Sequence, residues 1–384
     1  MTIAYISTPF FADCDFPLVK EMRKQGCRVI HIIPITPKCL KSTLIEITQQ
    51  YPHNGIFKAN IYPEISQYSE YINDDTFVIN RTYTNESIFK RIGSTFQLYK
   101  FLRSFHCDYI WTSLPFGLSD LILYHLPKIV LTVHDPFPHT GEHNIRRSLV
   151  EKIAFKLCNK FILLNEKQSD AFIKTYNINP KSVLINRLGT YDCIKLFTSS
   201  TNAKKNPYIL FYGRISPYKG IEYLLEAFTL IHNKHPELHL IIAGNGNYHF
   251  DISKYQTLDY IEFKNYHISM KETAQLFHGA KFIVCPYLDA TQSGVIMTAF
   301  TMNKPVIATK VGALEEYVIN NETGLIVEPR NIQELSNAIS TLYSNPELLK
   351  ELEQNIIQKY VIGTYSWSTI AKQYIRFLKQ DNHE

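Results

Sequence analysis

Short runs of isoleucine and valine alternate with longer amphipathic stretches from the first residues to about position 330. The runs at 3–7, 28–35, 108–112, 128–134, 160–165 and 182–188 are nearly continuous in apolar side chains. After 205 the pattern restarts at 208–212, 238–243, 281–287, 305–309 and 325–327. Strands that are apolar on both faces belong in parallel sheets covered on both sides, and helical stretches between them imply β-α-β units. Ile221, Leu224, Leu225 and Phe228 repeat at helical spacing, as do Leu335, Ala338, Ile339 and Leu342 behind an Asn331–Glu334 capping pair. The restart predicts two Rossmann-like α/β domains, 1–196 and 207–364, joined by the polar, breaker-rich stretch 197–207. Trp367, Ile370, Tyr374, Phe377 and Leu378 form one apolar stripe, so 365–384 is expected to pack back on the first domain as a helix.

A chain of 384 residues suits two cores, and its ample apolar content excludes a disordered or fibrous protein. The seven cysteines are scattered without CxxC or Cys/His spacing, which fits reduced thiols better than disulfides or zinc. No basic start precedes an apolar run and no span of about 18 apolar residues occurs, so a cytoplasmic location is expected. Residues 1–195 carry 23 Lys and Arg against 17 Asp and Glu, whereas the remainder carries 17 against 18. That basic half suits an anionic membrane surface, as at the inner membrane face, or an anionic acceptor, or is merely solvated helix faces, and no nucleic-acid partner is expected.

Chemistry concentrates in two places. The segment 211–221, Phe-Tyr-Gly-Arg-Ile-Ser-Pro-Tyr-Lys-Gly-Ile, runs from a strand through a loop into a helix. Gly213 permits close backbone approach, and Arg214 and Lys219 project two cations at the edge where open α/β sheets bind ligands. Two cations there suit a diphosphate; a solvated basic loop is the alternative. In the first half, a strand ends at His134, and the prolines after it concentrate His134, Asp135, His139 and Glu142 at the sheet edge. The first loop carries Asp13 and Asp15, which either accept bonds from an acceptor's hydroxyls or cap the helix expected near Phe16.

The G-R-x-x-x-x-K-G segment after a strand resembles the diphosphate loop of GT-B glycosyltransferases, in particular the retaining family 4. The pieces that follow resemble the family's elements in order: 240–246 with Gly244, 280–287, 304–316, 322–329 and Tyr365-Ser-Trp367, so that the likeness covers 160–384. It implies two Rossmann-like domains facing across a cleft, with a C-terminal helix crossing back to the first. The family's two glutamates, eight residues apart, fall on Ala290 and Thr298, a departure shared with an A-T-Q-S-G-V variant subgroup. In that variant the resemblance implies donor contacts from Asp289, Thr291, Gln292, Ser293, Gly294, Val295 and Thr298, with the amides of 294–296 near a phosphate. A plain helix cap at Ser293 stays open. By the same resemblance His134, or second His139, contacts the donor sugar, with Asp13 and Asp15 on the acceptor side.

The function so implied is transfer of a sugar, with retention, from a UDP- or GDP-linked donor to a glycan or lipid-linked acceptor in surface polysaccharide assembly. No divalent metal is expected, because Arg214 and Lys219 stabilise the departing diphosphate. Loss of the glutamate pair keeps open a degenerate binder of nucleotide sugar or partner. Gly244-Asn245-Gly246 lacks the third glycine of a dinucleotide fingerprint, which disfavours a nicotinamide enzyme.

Overall fold

The computed structural model describes residues 1–36, 44–47, 55–81, 88–134, 136–137, 145–164, 166–198, 206–290 and 293–380. These form two compact units, Met1–Leu188 with Trp367–Glu384, and Gly189–Ser366. No helix among the described residues is long and apolar enough to cross a membrane.

The first unit holds one sheet ordered β3-β4-β2-β1-β5-β6-β7-β8. Its strands are β1 (Thr2–Ile6), β2 (Arg28–Ile35), β3 (Ile56–Lys58), β4 (Thr76–Asn80), β5 (Tyr109–Thr112), β6 (Ile129–Val133), β7 (Lys160–Leu163) and β8 (Val183–Ile185). All pairs are parallel except β3 with β4. The chain moves one way from β1 to β2 and returns past it to β5, so the topological switch lies between β1 and β5. Ile30, Ile32, Ile79, Ile110 and Ile129 on the sheet pack with Leu98 and Leu102 of the helix Ile88–Ser104.

The C-terminal helix Trp367–Lys379 belongs to this unit, and its stripe is buried, with Ile370 and Leu378 at 0% exposure. Its last carbonyls, which lack intrahelical donors, are met from the sheet. Tyr109 donates its hydroxyl to the Leu378 carbonyl, and the buried Lys160 donates to the Phe377 carbonyl at 3.1 Å. Trp111 stacks edgewise on Tyr374 with centroids 5.2 Å apart.

The second unit holds a six-stranded parallel sheet ordered β11-β10-β9-β12-β13-β14, with its switch between β9 and β12. Its strands are β9 (Tyr208–Tyr212), β10 (His239–Gly244), β11 (Ile261–Asn265), β12 (Ile283–Cys285), β13 (Val306–Thr309) and β14 (Gly324–Val327). Leu224, Leu225 and Phe228 of the helix Ile221–His232 are fully buried, as are Ile339 and Leu342 of the helix Ile332–Ser344. The Asn331 side chain accepts from the Glu334 amide at 3.0 Å, the cap read from the sequence.

The units divide at Leu188–Gly189, ahead of the expected linker 197–207. The reason is hydrophobic: the short helix Asp192–Phe197 buries Cys193 and Ile194 within the second unit. Residues 199–205 lie outside the described part of the chain.

Candidate functional site

At the carboxyl edge of the second sheet three loops converge on the switch between β9 and β12. The loop after β9 runs close over the loop after β10: Gly213 donates its amide to the Ala243 carbonyl, and Ile215 donates to the Asn245 carbonyl, both at 3.0 Å. Ile215 also bridges Gly246. This approach requires glycine at 244, because a methyl group there would sit 1.8 Å from the Gly213 carbonyl oxygen. Gly220 ends the same loop in the left-handed region (φ +62°), where a methyl would sit 2.1 Å from the Pro286 carbonyl. The Leu288 amide donates to the Tyr218 carbonyl at 2.7 Å, which ties the loop after β12 to the loop after β9.

Lys219 lies inside this arrangement. It is only 9% exposed, and its Nζ sits 3.5 Å from the centroid of the buried Tyr287 ring and 5.0 Å from that of Tyr218. Burial pulls its ammonium down to about 8, a shift that nearby Cys285 opposes and Arg214 reinforces. The aromatic faces offset part of the desolvation. Arg214, by contrast, is exposed. One sheet edge therefore presents a buried and a solvent-facing cation above closely packed backbone.

The loop after β12 supplies the opposite wall. Val295 reaches Gly213, since a methyl on Gly213 would lie 3.6 Å from its Cγ2. Ser293 occupies the position before the helix Gly294–Thr301 yet makes no side-chain capping bond, so the plain-cap reading is not realised. Ala290 is buried, and the Thr298 hydroxyl donates to the Gly294 carbonyl at 2.9 Å within its own helix. Asp289 is exposed. Thr291 and Gln292 lie outside the described residues. The structure thus gathers Gly213, Lys219, Gly244 and Val295. Tyr287, which sequence reasoning passed over, forms the bed of Lys219.

The first unit's edge is chemically different. Its helix begins at Ala12, not near Phe16, so Asp13 and Asp15 fall inside the first turn and cap nothing by side chain. Asp15 is 3% exposed and accepts the Tyr5 hydroxyl at 2.6 Å, which removes it from any surface an acceptor reaches. Burial is the main cause that lifts its carboxyl to about 7, against hydrogen bonds that lower it. Ser7 and the fully buried His31 pair at 2.9 Å, and burial with Arg23 nearby holds that imidazole down to about 3, hence neutral. His134 ends β6 and stacks on Phe11 with centroids 3.9 Å apart and planes 13° from parallel. Asp135, His139 and Glu142 are outside the described residues.

Residues 194–359 match the family model "Glycosyl transferases group 1". A curated relative from Haemophilus influenzae, named "Uncharacterized glycosyltransferase", is 26% identical over 241 residues, 61% of this chain and 65% of that protein. Across the first curated relatives the matched stretch spans 44 to 65% of their length. Among solved structures, sucrose-phosphate synthase from Thermosynechococcus elongatus superposes with a TM-score of 0.65 at 19% identity, covering 100% of this chain and 99% of that one. HepE of Anabaena, solved in complex with UDP and glucose, gives 0.66 at 16% identity, covering 99% and 100%. Residues 194–359, within the second unit, are thus similar to glycosyltransferase group 1 domains, and the architecture of two Rossmann-like sheets is that of the GT-B fold.

Proposed function

We propose that the chain is a glycosyltransferase that takes a nucleotide diphosphate sugar at the second unit's switch point and transfers the sugar, with retention, to a glycan or lipid-linked acceptor. The observation that carries this reading is Lys219, a desolvated ammonium held on Tyr287 beside the close-packed turns of Gly213 and Gly244. A buried cation without a carboxylate partner costs stability unless an anion completes it. A diphosphate at this edge does so, with Arg214 closing on it from solvent. Both charges then favour the departing diphosphate in the transition state, without a metal in that role. The donor is UDP- or GDP-linked in this reading; the UDP in HepE supports it. His134, or second His139, is proposed to reach the donor sugar, and Asp13 the acceptor.

The setting we propose is surface polysaccharide assembly in the cytoplasm, with peripheral contact at an anionic membrane face. The helix Ile88–Ser104 supports that contact, because it carries four Lys or Arg and no acid while Ile92 and Phe96 are 50% and 44% exposed. Sedimentation with anionic vesicles, and its absence with neutral ones, is the expected result.

One observation favours a second reading, a nucleotide-sugar binder without transfer. Ala290 and Thr298 hold the places of the family's glutamates, and the Thr298 hydroxyl is committed to its own helix. Incubation with UDP- and GDP-sugars and a panel of acceptors separates the two. Released nucleotide with a new glycoside supports transfer; nucleotide binding with no product supports the binder.

A further inference from the structure

The loops after β9 and β12 are clasped by backbone at two points, and the two points flank a single residue. Gly220 lies against the Pro286 carbonyl, and the Leu288 amide donates to the Tyr218 carbonyl at 2.7 Å. Residues 218–220 are thereby held along 286–288, with 219 opposite 287. From β13 the Thr309 hydroxyl donates to the Tyr287 carbonyl, so the sheet fixes the backbone at 287 as well. The Tyr287 side chain is fully buried, and this register lays its ring beneath Lys219, whose Nζ stands 3.5 Å from the centroid.

No carboxylate among the described residues pairs with Lys219, and the nearby Arg214 repels it. A lysine stem without a partner samples many rotamers, and an arriving ligand would have to quench that freedom. A ring face attracts a desolvated ammonium through its quadrupole and so holds it in one place. Unlike a carboxylate, it does so without neutralising the charge, and it does not compete with an incoming anion. The ring performs this, not the hydroxyl. The Tyr287 hydroxyl is buried near Ser293 and the Cys285 thiol but hydrogen-bonds to neither. Phenylalanine at 287 would therefore lose no bond, whereas an aliphatic side chain would lose the ring face.

We propose that Tyr287 is the positioning residue of the donor site: its ring face presets the Lys219 ammonium for a diphosphate while leaving the charge free for that anion. This rests on the donor reading above, and two measurements on the full chain separate them. The first is NMR of the ligand-free chain carrying [ε-13C]lysine, with the Lys219 signal identified by its loss in Lys219→Arg. The second is calorimetric titration with UDP and GDP at pH 7 of wild type, Tyr287→Phe and Tyr287→Leu, each also in the Lys219→Ala background. Tyr287→Met replaces Tyr287→Leu if the smaller side chain unfolds the second unit. The ring current is expected to move the Lys219 ε-protons upfield of the other lysines in wild type and Tyr287→Phe, and not in Tyr287→Leu. Nucleotide affinity is expected to fall about tenfold in Tyr287→Leu, the scale of a desolvated cation–π contact, and to be rescued to within about twofold by phenylalanine. Adding Tyr287→Leu to Lys219→Ala is expected to cost nothing further, because the ring acts through the ammonium. An unshifted Lys219 signal in wild type, equal affinity of Tyr287→Leu and wild type, an equal loss in Tyr287→Phe, or a loss that persists in the Lys219→Ala background overturns the proposal. A shifted Lys219 signal in a chain that binds neither nucleotide contradicts the donor reading and leaves the ring's hold on the ammonium standing.

Discussion

Both units turn the same feature of a parallel sheet, the switch between two central strands, towards ligand, yet they dress it with opposite chemistry. After β9 come two glycines and two cations, and the backbone of neighbouring loops approaches to contact distance around Gly213 and Gly244. After β1 come no glycine, two acids and two phenylalanines. There the loop folds into an early helix whose Asp15 is withdrawn into a bond with Tyr5. The topology fixes where a ligand sits. The loop residues decide what each edge offers, two cations over close-packed backbone at one and acids with aromatic rings at the other.

The sharpest way to break this contrast is to remove the buried cation. Lys219→Ala should lower transfer by on the order of 100-fold in kcat/KM, measured with UDP- and GDP-sugars, as the loss of preorganised electrostatic groups does elsewhere. Next, Gly244→Ala forces a methyl against the Gly213 carbonyl and should destabilise the second unit by about 2 kcal/mol, read from denaturant unfolding. Ala12 belongs to the first unit, so Ala12→Gly should leave nucleotide affinity unaltered.

How far the contrast was legible beforehand depended on range along the chain. The Gly-Arg and Lys-Gly pairs announced themselves because the loop is one continuous segment. The bed of Lys219 did not, because Tyr287 arrives from β12 and the contact is purely spatial. The burial of Asp15 was equally hidden, since its partner Tyr5 lies on β1 and only folding brings the helix over it. Central strands read clearly as unbroken apolar runs. Three others were missed: β3 has three residues and β4 five, and β11 alternates Ile-Glu-Phe-Lys-Asn with Glu262 exposed, as an edge strand does. The short helix Asp192–Phe197 was assigned to the first domain because sequence order says nothing of which core receives Cys193 and Ile194.

Titration sharpens the comparison with smaller effects. Lys219 loses its proton near pH 8 in the free chain, and only the charged form attracts diphosphate. Nucleotide affinity should therefore fall about tenfold between pH 7 and pH 9, and Lys219→Arg should flatten that fall. Asp15 acts on stability, not on nucleotide affinity, and its effect falls with rising pH as well. Its folded-state value of about 7 lies above the ordinary carboxyl value of 3.8, so its contribution to stability is present in acid and lost as pH rises through 7. Asp15→Asn should consequently stabilise the first unit by about 1 kcal/mol at pH 8 and leave it unchanged at pH 4, as measured by thermal unfolding.

The central claim is that the buried Lys219 makes the second unit's switch point a diphosphate site. It is tested most directly by titrating wild type and Lys219→Ala with UDP and GDP in a calorimeter at pH 7. The account predicts binding of at least one nucleotide by wild type and at least tenfold weaker binding by the variant, with the fold of both intact by circular dichroism. Equal affinity in the two proteins, or no binding by wild type, would contradict it.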